Sequence, residues 1–240
     1  MRNLGRLTKH PAIRILLAFI TGVAVLFAST FLIDELVAAN RYLRQLPLMG
    51  RTARHTTMLI LSLLFILLLN KGSFKGYGFR WSKRLHIFLM IGIGLILSLG
   101  VNWLALFFQF QPRTAFGFAG VHLVDKVLYL WLWTSISEEV FTRGLIQGYL
   151  SPLQSLGFRL SGITLSLPVL VGAIFFGGMH LVLLTIGISP ARVLYLVLAT
   201  TLLGVFAGYH KERTNSLAAP VIIHFSFNMG GSLFQMLLSV

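Results

Sequence analysis

Long apolar runs separated by short polar connections dominate the sequence. Seven runs can be read, and they cover residues 15–33, 56–70, 85–108, 127–150, 163–186, 193–209 and 217–240. A helix needs about 20 apolar residues to cross the hydrocarbon core of a bilayer. The pattern therefore predicts an all-α fold, a polytopic transmembrane helix bundle of about seven spans.

A proline indicates where the regular helix of the fifth run begins. Pro168 suits the first turn of a helix, so we expect residues 163–167 to lie outside the regular fifth span. A later start also brings His180 closer in depth to His224 on the seventh span, which runs in the same direction. A depth difference of more than two helical turns, about 11 Å, would rule out a site shared by these two histidines.

Composition supports a membrane protein. Of 240 residues, 56% are hydrophobic and only 11% are charged, whereas soluble proteins average about 45–50% and about 25%. This apolar content excludes disorder and a single soluble domain of this length. There is no cysteine, which excludes disulfides, thiolate nucleophiles and cysteine metal sites.

The net charge of +14 indicates topology and lipid contact. The basic residues lie mostly between the apolar runs, where they set orientation and contact anionic lipids. No separate basic domain exists, so nucleic acid is not an expected partner. A basic leader (Arg2, Arg6, Lys9 and Arg14) and the bias of alternate loops favour a cytoplasmic N-terminus, and we expect a multi-pass protein of the cell membrane.

Charged residues within the fourth run mark a candidate site. Residues 1–126 keep their polar groups in the connections, whereas residues 127–240 carry them inside the spans. A charge at mid-bilayer costs roughly 2.5–3.5 kcal/mol, and such residues usually have a function. Glu139 and Arg143 are spaced i,i+4 and are predicted to pair. Glu138 lies about 100° further around the helix, without a cationic partner on that helix.

Histidines on two later runs complete the constellation. The fifth run carries His180, and the seventh carries His224 and Asn228 on one helix face. A glutamate in a dry site can take a proton from water while imidazole and amide groups stabilise an oxyanion. Alternatively, Glu138, His180 and His224 suit a catalytic zinc. The other histidines, near the run ends, are interpreted as interfacial without an assigned role: His10, His55, His86, His122 and His210.

Three ordered motifs resemble those of the CAAX prenyl protease and bacteriocin-processing family of intramembrane proteases, also called the ABI family. They are Glu-Glu-x-x-x-Arg at 138–143, Phe-x-x-x-His at 176–180 and His-x-x-x-Asn at 224–228. The resemblance covers roughly residues 127–240. It implies a catalytic core in this part of the chain, preceded by N-terminal transmembrane helices without a catalytic motif.

The resemblance also assigns roles. It implies an endopeptidase in which Glu138 is the acid–base and works with His180 on a water. His224 and Asn228 resemble the proposed oxyanion pair, and the remaining motif positions resemble structural parts: Glu139, Arg143 and Phe176. The substrate would be a membrane protein or a lipidated peptide, including prenylated CAAX-type peptides. The family has been described as glutamate-dependent and as metal-dependent, so zinc stays an alternative cofactor.

Two other functions compete with the protease hypothesis. The first is a non-catalytic immunity or interaction protein on the same scaffold, which would not need Glu138. The second is an ion or proton-coupled transporter, because intramembrane glutamate and histidine also build ion paths. The sequence shows no internal repeat of the kind that many carriers have, which disfavours the transporter.

Overall fold

A computed structural model describes residues 10–45, 48–108, 121–160 and 162–238. Within these residues the chain forms eight helices and one β-hairpin. The helices are α1 (Pro11–Ala39), α2 (Arg41–Gln45), α3 (Met49–Leu69), α4 (Ile87–Phe107), α5 (residues 123–149), α6 (Leu167–Gly178), α7 (Pro190–Thr214) and α8 (Ala218–Leu238). The hairpin strands are β1 (Gly157–Leu160) and β2 (Ile163–Ser166). The fold class predicted from the apolar runs is confirmed.

Five helices of the described chain are long and apolar enough to cross a membrane. These are α1, α3, α4, α6 together with a 3₁₀ extension (Met179–Ile186), and α7. The predicted fourth and seventh spans correspond to α5 and α8, two long helices on which the polar residues are concentrated. Three residues of the basic leader (Arg2, Arg6 and Lys9) and residues 239–240 lie outside the described residues.

The outer faces of the bundle are apolar. Phe88 is 89% exposed, and Leu68, Trp81 and Leu198 are more than half exposed. Many large apolar side chains are exposed on these faces. They suit contact with lipid tails, which are themselves apolar. Together with the five apolar helices, they identify an integral membrane protein.

Helix α5 is mostly buried from Thr134 onward and is not a regular α-helix. Two π-helical segments, Lys126–Trp133 and Val140–Ile146, flank an α-helical turn at Thr134–Glu139. A π segment adds a residue to each turn and is frequent at functional sites. Glu138 and Glu139 therefore lie at the junction between two backbone geometries.

The hairpin explains where α6 begins. Strands β1 and β2 pair antiparallel, and Ser166 then caps α6 by accepting a hydrogen bond from the Val169 amide at 3.3 Å. Pro168 lies in the first turn, as predicted. The expected break before the regular helix is present, but the helix starts at Leu167, so the expected boundary was late by one residue.

Small residues allow the helices to approach closely. Helix α6 packs against α7, and α4 packs against α8. Gly177 faces the Val197 carbonyl of α7, and Gly94 faces the Ile223 carbonyl of α8, with no room for a Cβ at either glycine. Glycine at such crossings is typical of membrane helix packing. These contacts fix the helices that carry His180 and His224.

Candidate active site

Glu138 is the carboxylate at the centre of the candidate site. It is buried on α5, and its two oxygens face imidazoles from two other helices. Oε1 lies 3.3 Å from Nε2 of His55 on α3. Oε2 lies 3.7 Å from Nε2 of His224 on α8. The charge without a partner on its own helix therefore finds its partners across the bundle.

The contribution of His55 corrects the sequence interpretation. His55 was interpreted as an interfacial residue without a role, yet it lies on α3 against Glu138. Its Nδ1 donates to the Arg51 carbonyl at 2.9 Å, since a carbonyl oxygen only accepts. No spacing rule could have found the contact with Glu138, because the two residues are 83 positions apart.

Glu139, Arg143 and His224 form a buried chain of charge-assisted bonds. Glu139 Oε1 accepts from Arg143 Nη1 at 3.1 Å and from His224 Nδ1 at 2.8 Å. Side-chain exposure is 0% for the first two residues and 4% for His224. The i,i+4 pair is present as predicted, and its extension to α8 is new. A carboxylate on Nδ1 fixes the ring so that Nε2 faces Glu138.

The Phe176 ring contacts the histidines of the second and third motifs. Its ring centroid lies 5.6 Å from the His180 ring and 5.5 Å from the His224 ring, both edge-on. The guanidinium carbon of Arg143 stands 4.3 Å from the same centroid, a cation–π distance. His180 and His224 therefore pack against the same aromatic ring.

His180 is oriented by its own helix. Its Nδ1 donates to the Phe176 carbonyl at 2.9 Å, and the Thr200 hydroxyl of α7 lies 3.4 Å from the same nitrogen. The carbonyl is an acceptor only, so Nδ1 carries a hydrogen and Nε2 is left for other contacts when the ring is neutral.

Asn228 lies one turn after His224, but its amide contacts α5. The amide nitrogen donates to the Leu130 carbonyl and to Ser135 Oγ, both at 3.2 Å. These bonds engage both amide hydrogens, so the predicted oxyanion role needs one of them to be released. In this arrangement Asn228 holds α8 against α5, at the turn that precedes Glu138.

The predicted zinc ligands are not arranged as a metal site. Among the residues that the structure describes, no three His, Asp or Glu side chains group closely enough to hold an ion. In the predicted set of Glu138, His180 and His224, only Glu138 and His224 form a close pair. His55 contacts the other carboxylate oxygen of Glu138.

A known protein family matches part of this chain. Residues 120–230 match the sequence model of the family described as Rce1-like, type II CAAX prenyl endopeptidase Rce1-like. This part of the chain is therefore similar to CAAX prenyl endopeptidases. The match covers the three motifs, on α5, α6 and α8. No curated protein and no solved structure matches the chain.

The Rce1-like region does not contain the whole of the site. Helix α3, which carries His55, lies before residue 120 and so outside the match. The matched region supplies Glu138, His180 and His224, while the N-terminal helices supply a third imidazole. The two parts of the chain therefore meet at Glu138.

Proposed function

We propose that this chain is an intramembrane endopeptidase in which Glu138 activates a water to hydrolyse a peptide bond. The supporting observation is a buried carboxylate whose two oxygens face imidazole nitrogens, inside a CAAX endopeptidase domain. A carboxylate held between imidazoles can take a proton from a water bound beside it. General-base hydrolysis needs a group of this kind.

The reaction proceeds in two proton transfers. Glu138 takes a proton from water as the water oxygen bonds to the carbonyl carbon of the scissile peptide. The carbonyl oxygen becomes an oxyanion, which hydrogen-bond donors in the site stabilise. The carbon–nitrogen bond then breaks, and Glu138 passes its proton to the leaving nitrogen. The products are a carboxyl terminus and a free amine.

The surrounding residues divide the remaining work. We assign His180 to orienting the water, and His224 with Asn228 to the oxyanion. Glu139 and Arg143 fix the His224 ring, as their hydrogen bonds suggest. Packing of the Phe176 ring against both imidazoles supports their common alignment.

His55 acts as a positioning residue. Its Nδ1 is tied to the α3 backbone, so Nε2 presents a fixed contact to Glu138 Oε1. This contact limits rotation of the carboxyl group and leaves Oε2 as the oxygen for proton transfer. We therefore assign residues 127–240 to the catalytic core and residues 1–126 to a helical support that contributes one side chain.

The substrate that we propose is a membrane-associated protein or peptide with a prenylated CAAX-type C-terminus. The family description names a CAAX prenyl endopeptidase, and the lipid-facing helices suit a substrate that arrives through the bilayer. We place the protein in the cell membrane with a cytoplasmic N-terminus, which the distribution of basic residues supports.

A cleavage assay tests the proposal directly. Wild type, Glu138→Gln and the matched control Glu35→Gln, an exposed acid on α1, are purified in detergent. Each is incubated with membrane peptides that include a prenylated Cys-a-a-X peptide, and products are identified by mass spectrometry. Cleavage by wild type and control but not by Glu138→Gln is expected. Equal cleavage by all three proteins would end the assignment of Glu138. Elemental analysis of the same samples tests the zinc alternative.

A further inference from the structure

A cavity of about 570 Å³ lies between the start of α4 and the end of α7. The side chains that line it do not contact the Glu138 site. They include Arg84, His86, Leu89, His210, Glu212 and Arg213. The cavity therefore needs an explanation separate from peptide hydrolysis.

The lining of the cavity is basic. Arg84 and Arg213 are exposed, and His86 and His210 are beside them. The one acidic residue of the lining is Glu212, and its carboxylate is hydrogen-bonded to two other side chains. Its Oε1 accepts hydrogen bonds from Ser166 Oγ at 2.8 Å and from Gln147 Nε2 at 3.2 Å. Two arginines thus line the cavity together with one carboxylate that is already engaged, and Arg213 also donates from Nη1 to the Tyr209 hydroxyl at 3.2 Å. This excess of positive charge favours an anionic ligand.

The backbone of α4 adds to this positive field. The helix begins at Ile87 without a side-chain cap and without an acidic residue in its first turn. The first amide groups of a helix have no partner within the helix, and the helix dipole makes this end positive. His86 and Leu89 of the same turn line the cavity. Amides at such a position bind phosphate or carboxylate groups.

An apolar surface begins directly beside the basic cavity. Ile87, Phe88 and Leu89 are 42%, 89% and 52% exposed, and they open a helix that is long and apolar enough to cross a membrane. The cavity thus lies where a membrane helix starts, with cationic groups on one side and lipid-facing side chains on the other. A ligand with an anionic head and an apolar tail satisfies both surfaces.

We propose that this cavity binds the phosphodiester headgroup of an anionic phospholipid, with the acyl chains along the first turn of α4. Arg84 and Arg213 donate to the phosphate oxygens, since guanidinium groups match phosphate geometry. Free inorganic phosphate shares the charge chemistry but leaves the apolar surface unused. The site is independent of the peptidase assignment.

A lipid titration with matched charge variants tests the site. Delipidated protein in detergent is titrated with phosphatidylglycerol, phosphatidylcholine or inorganic phosphate, and bound species are measured by native mass spectrometry. The test variant is Arg84→Gln/Arg213→Gln. The control, Arg41→Gln/Lys75→Gln, loses the same charge at exposed positions outside the cavity.

Phosphatidylglycerol is expected to bind wild type and control alike and to bind the test variant about thirtyfold more weakly, since each basic residue near a lipid surface contributes roughly a factor of five. Binding to wild type should weaken with added salt. Equal affinity of wild type and test variant overturns the proposal, and so does equal binding of phosphatidylcholine. Inorganic phosphate that binds at least as tightly as the lipid overturns the lipid assignment.

A single variant keeps the test valid if the double variant unfolds. Arg84→Gln alters one exposed side chain in the connection before α4. It should weaken phosphatidylglycerol binding about fivefold at an unchanged melting temperature. Unchanged binding by this folded variant also overturns the proposal.

Discussion

The Nε2 atom of His55 lies 3.3 Å from Oε1 of Glu138, and this contact joins α3 to the central carboxylate. His55 lies outside the region that matches the Rce1-like family. The N-terminal helices are thus part of the candidate site as well as part of the membrane anchor. The geometry makes several measurable predictions.

Replacement of His55 should lower activity and leave the fold intact. His55→Ala removes the contact that holds Glu138 Oε1, and we expect kcat to fall about tenfold to a hundredfold, since small misplacements of reacting groups cost this much. KM should change little, because His55 does not touch substrate in the proposed reaction. The measurement is peptide cleavage together with a melting curve.

Two further variants separate positioning from packing at His55. His55→Gln keeps an amide donor near Glu138 and should restore part of the lost kcat. His122→Ala, at an exposed histidine before α5, should behave as wild type. A His55→Ala protein with full kcat would show that the contact has no part in the reaction.

Breaking the buried ion pair should destabilise the protein strongly. Arg143→Met leaves the Glu139 charge buried with only His224 as a partner, and removal of one member of a buried pair costs about 3–5 kcal/mol. Glu139→Gln/Arg143→Met should recover part of this loss. Denaturant unfolding in mixed micelles measures both, and the exposed Arg41→Met serves as control. An Arg143→Met midpoint equal to wild type would contradict a stabilising role of the pair.

Adjacent glycines on α6 should respond differently to alanine. A Cβ at Gly177 would lie 2.7 Å from the Val197 carbonyl oxygen of α7, whereas a Cβ at Gly178 meets nothing within 4 Å. Overpacking of this kind costs typically 1–3 kcal/mol, so Gly177→Ala should destabilise and reduce cleavage by displacing His180. Gly178→Ala should be close to neutral in thermal unfolding and in cleavage. Equal behaviour of the two variants would refute the close crossing.

The crossing of α4 and α8 allows a parallel test. A Cβ at Gly94 would collide with the Ile223 carbonyl and lie 2.7 Å from Ser226 Cβ, while a Cβ at Gly92 meets nothing within 4 Å. Gly94→Ala should push α8 outward, move His224 from Glu138, and lower kcat together with stability. Gly92→Ala is the matched control. Retained kcat in Gly94→Ala would mean that α8 tolerates displacement.

Sequence patterns predicted the features of this protein that depend on residues close together along the chain. Apolar run length located the helices, i,i+4 spacing located the pair of Glu139 and Arg143, and Pro168 located the start of α6. Contacts between distant helices followed no such pattern. His55 with Glu138 and His224 with Glu139 depend on which helices are neighbours, and spacing along the chain does not contain that information.

Backbone irregularities were also missed. The predicted all-α pattern did not include the short strands β1 and β2, because two runs of four residues resemble any loop with a few apolar positions. The π segments of α5 were missed because they are only one or two turns long. Over that length, hydrophobic periodicity does not distinguish i→i+5 from i→i+4 hydrogen bonding. Both features lie next to site helices.

The pairing of Glu139 with His224 bears on biogenesis. Glu139 meets its histidine only 85 residues further along the chain, on a helix that leaves the ribosome after α5. Until α8 is made, Arg143 on α5 is the one cationic partner described for Glu139, and charged groups inside a bilayer are costly. The free-energy cost of entering the bilayer is therefore higher for α5 by itself than for α5 together with α8. Synthesis of α8 supplies the imidazole that becomes the second partner of Glu139.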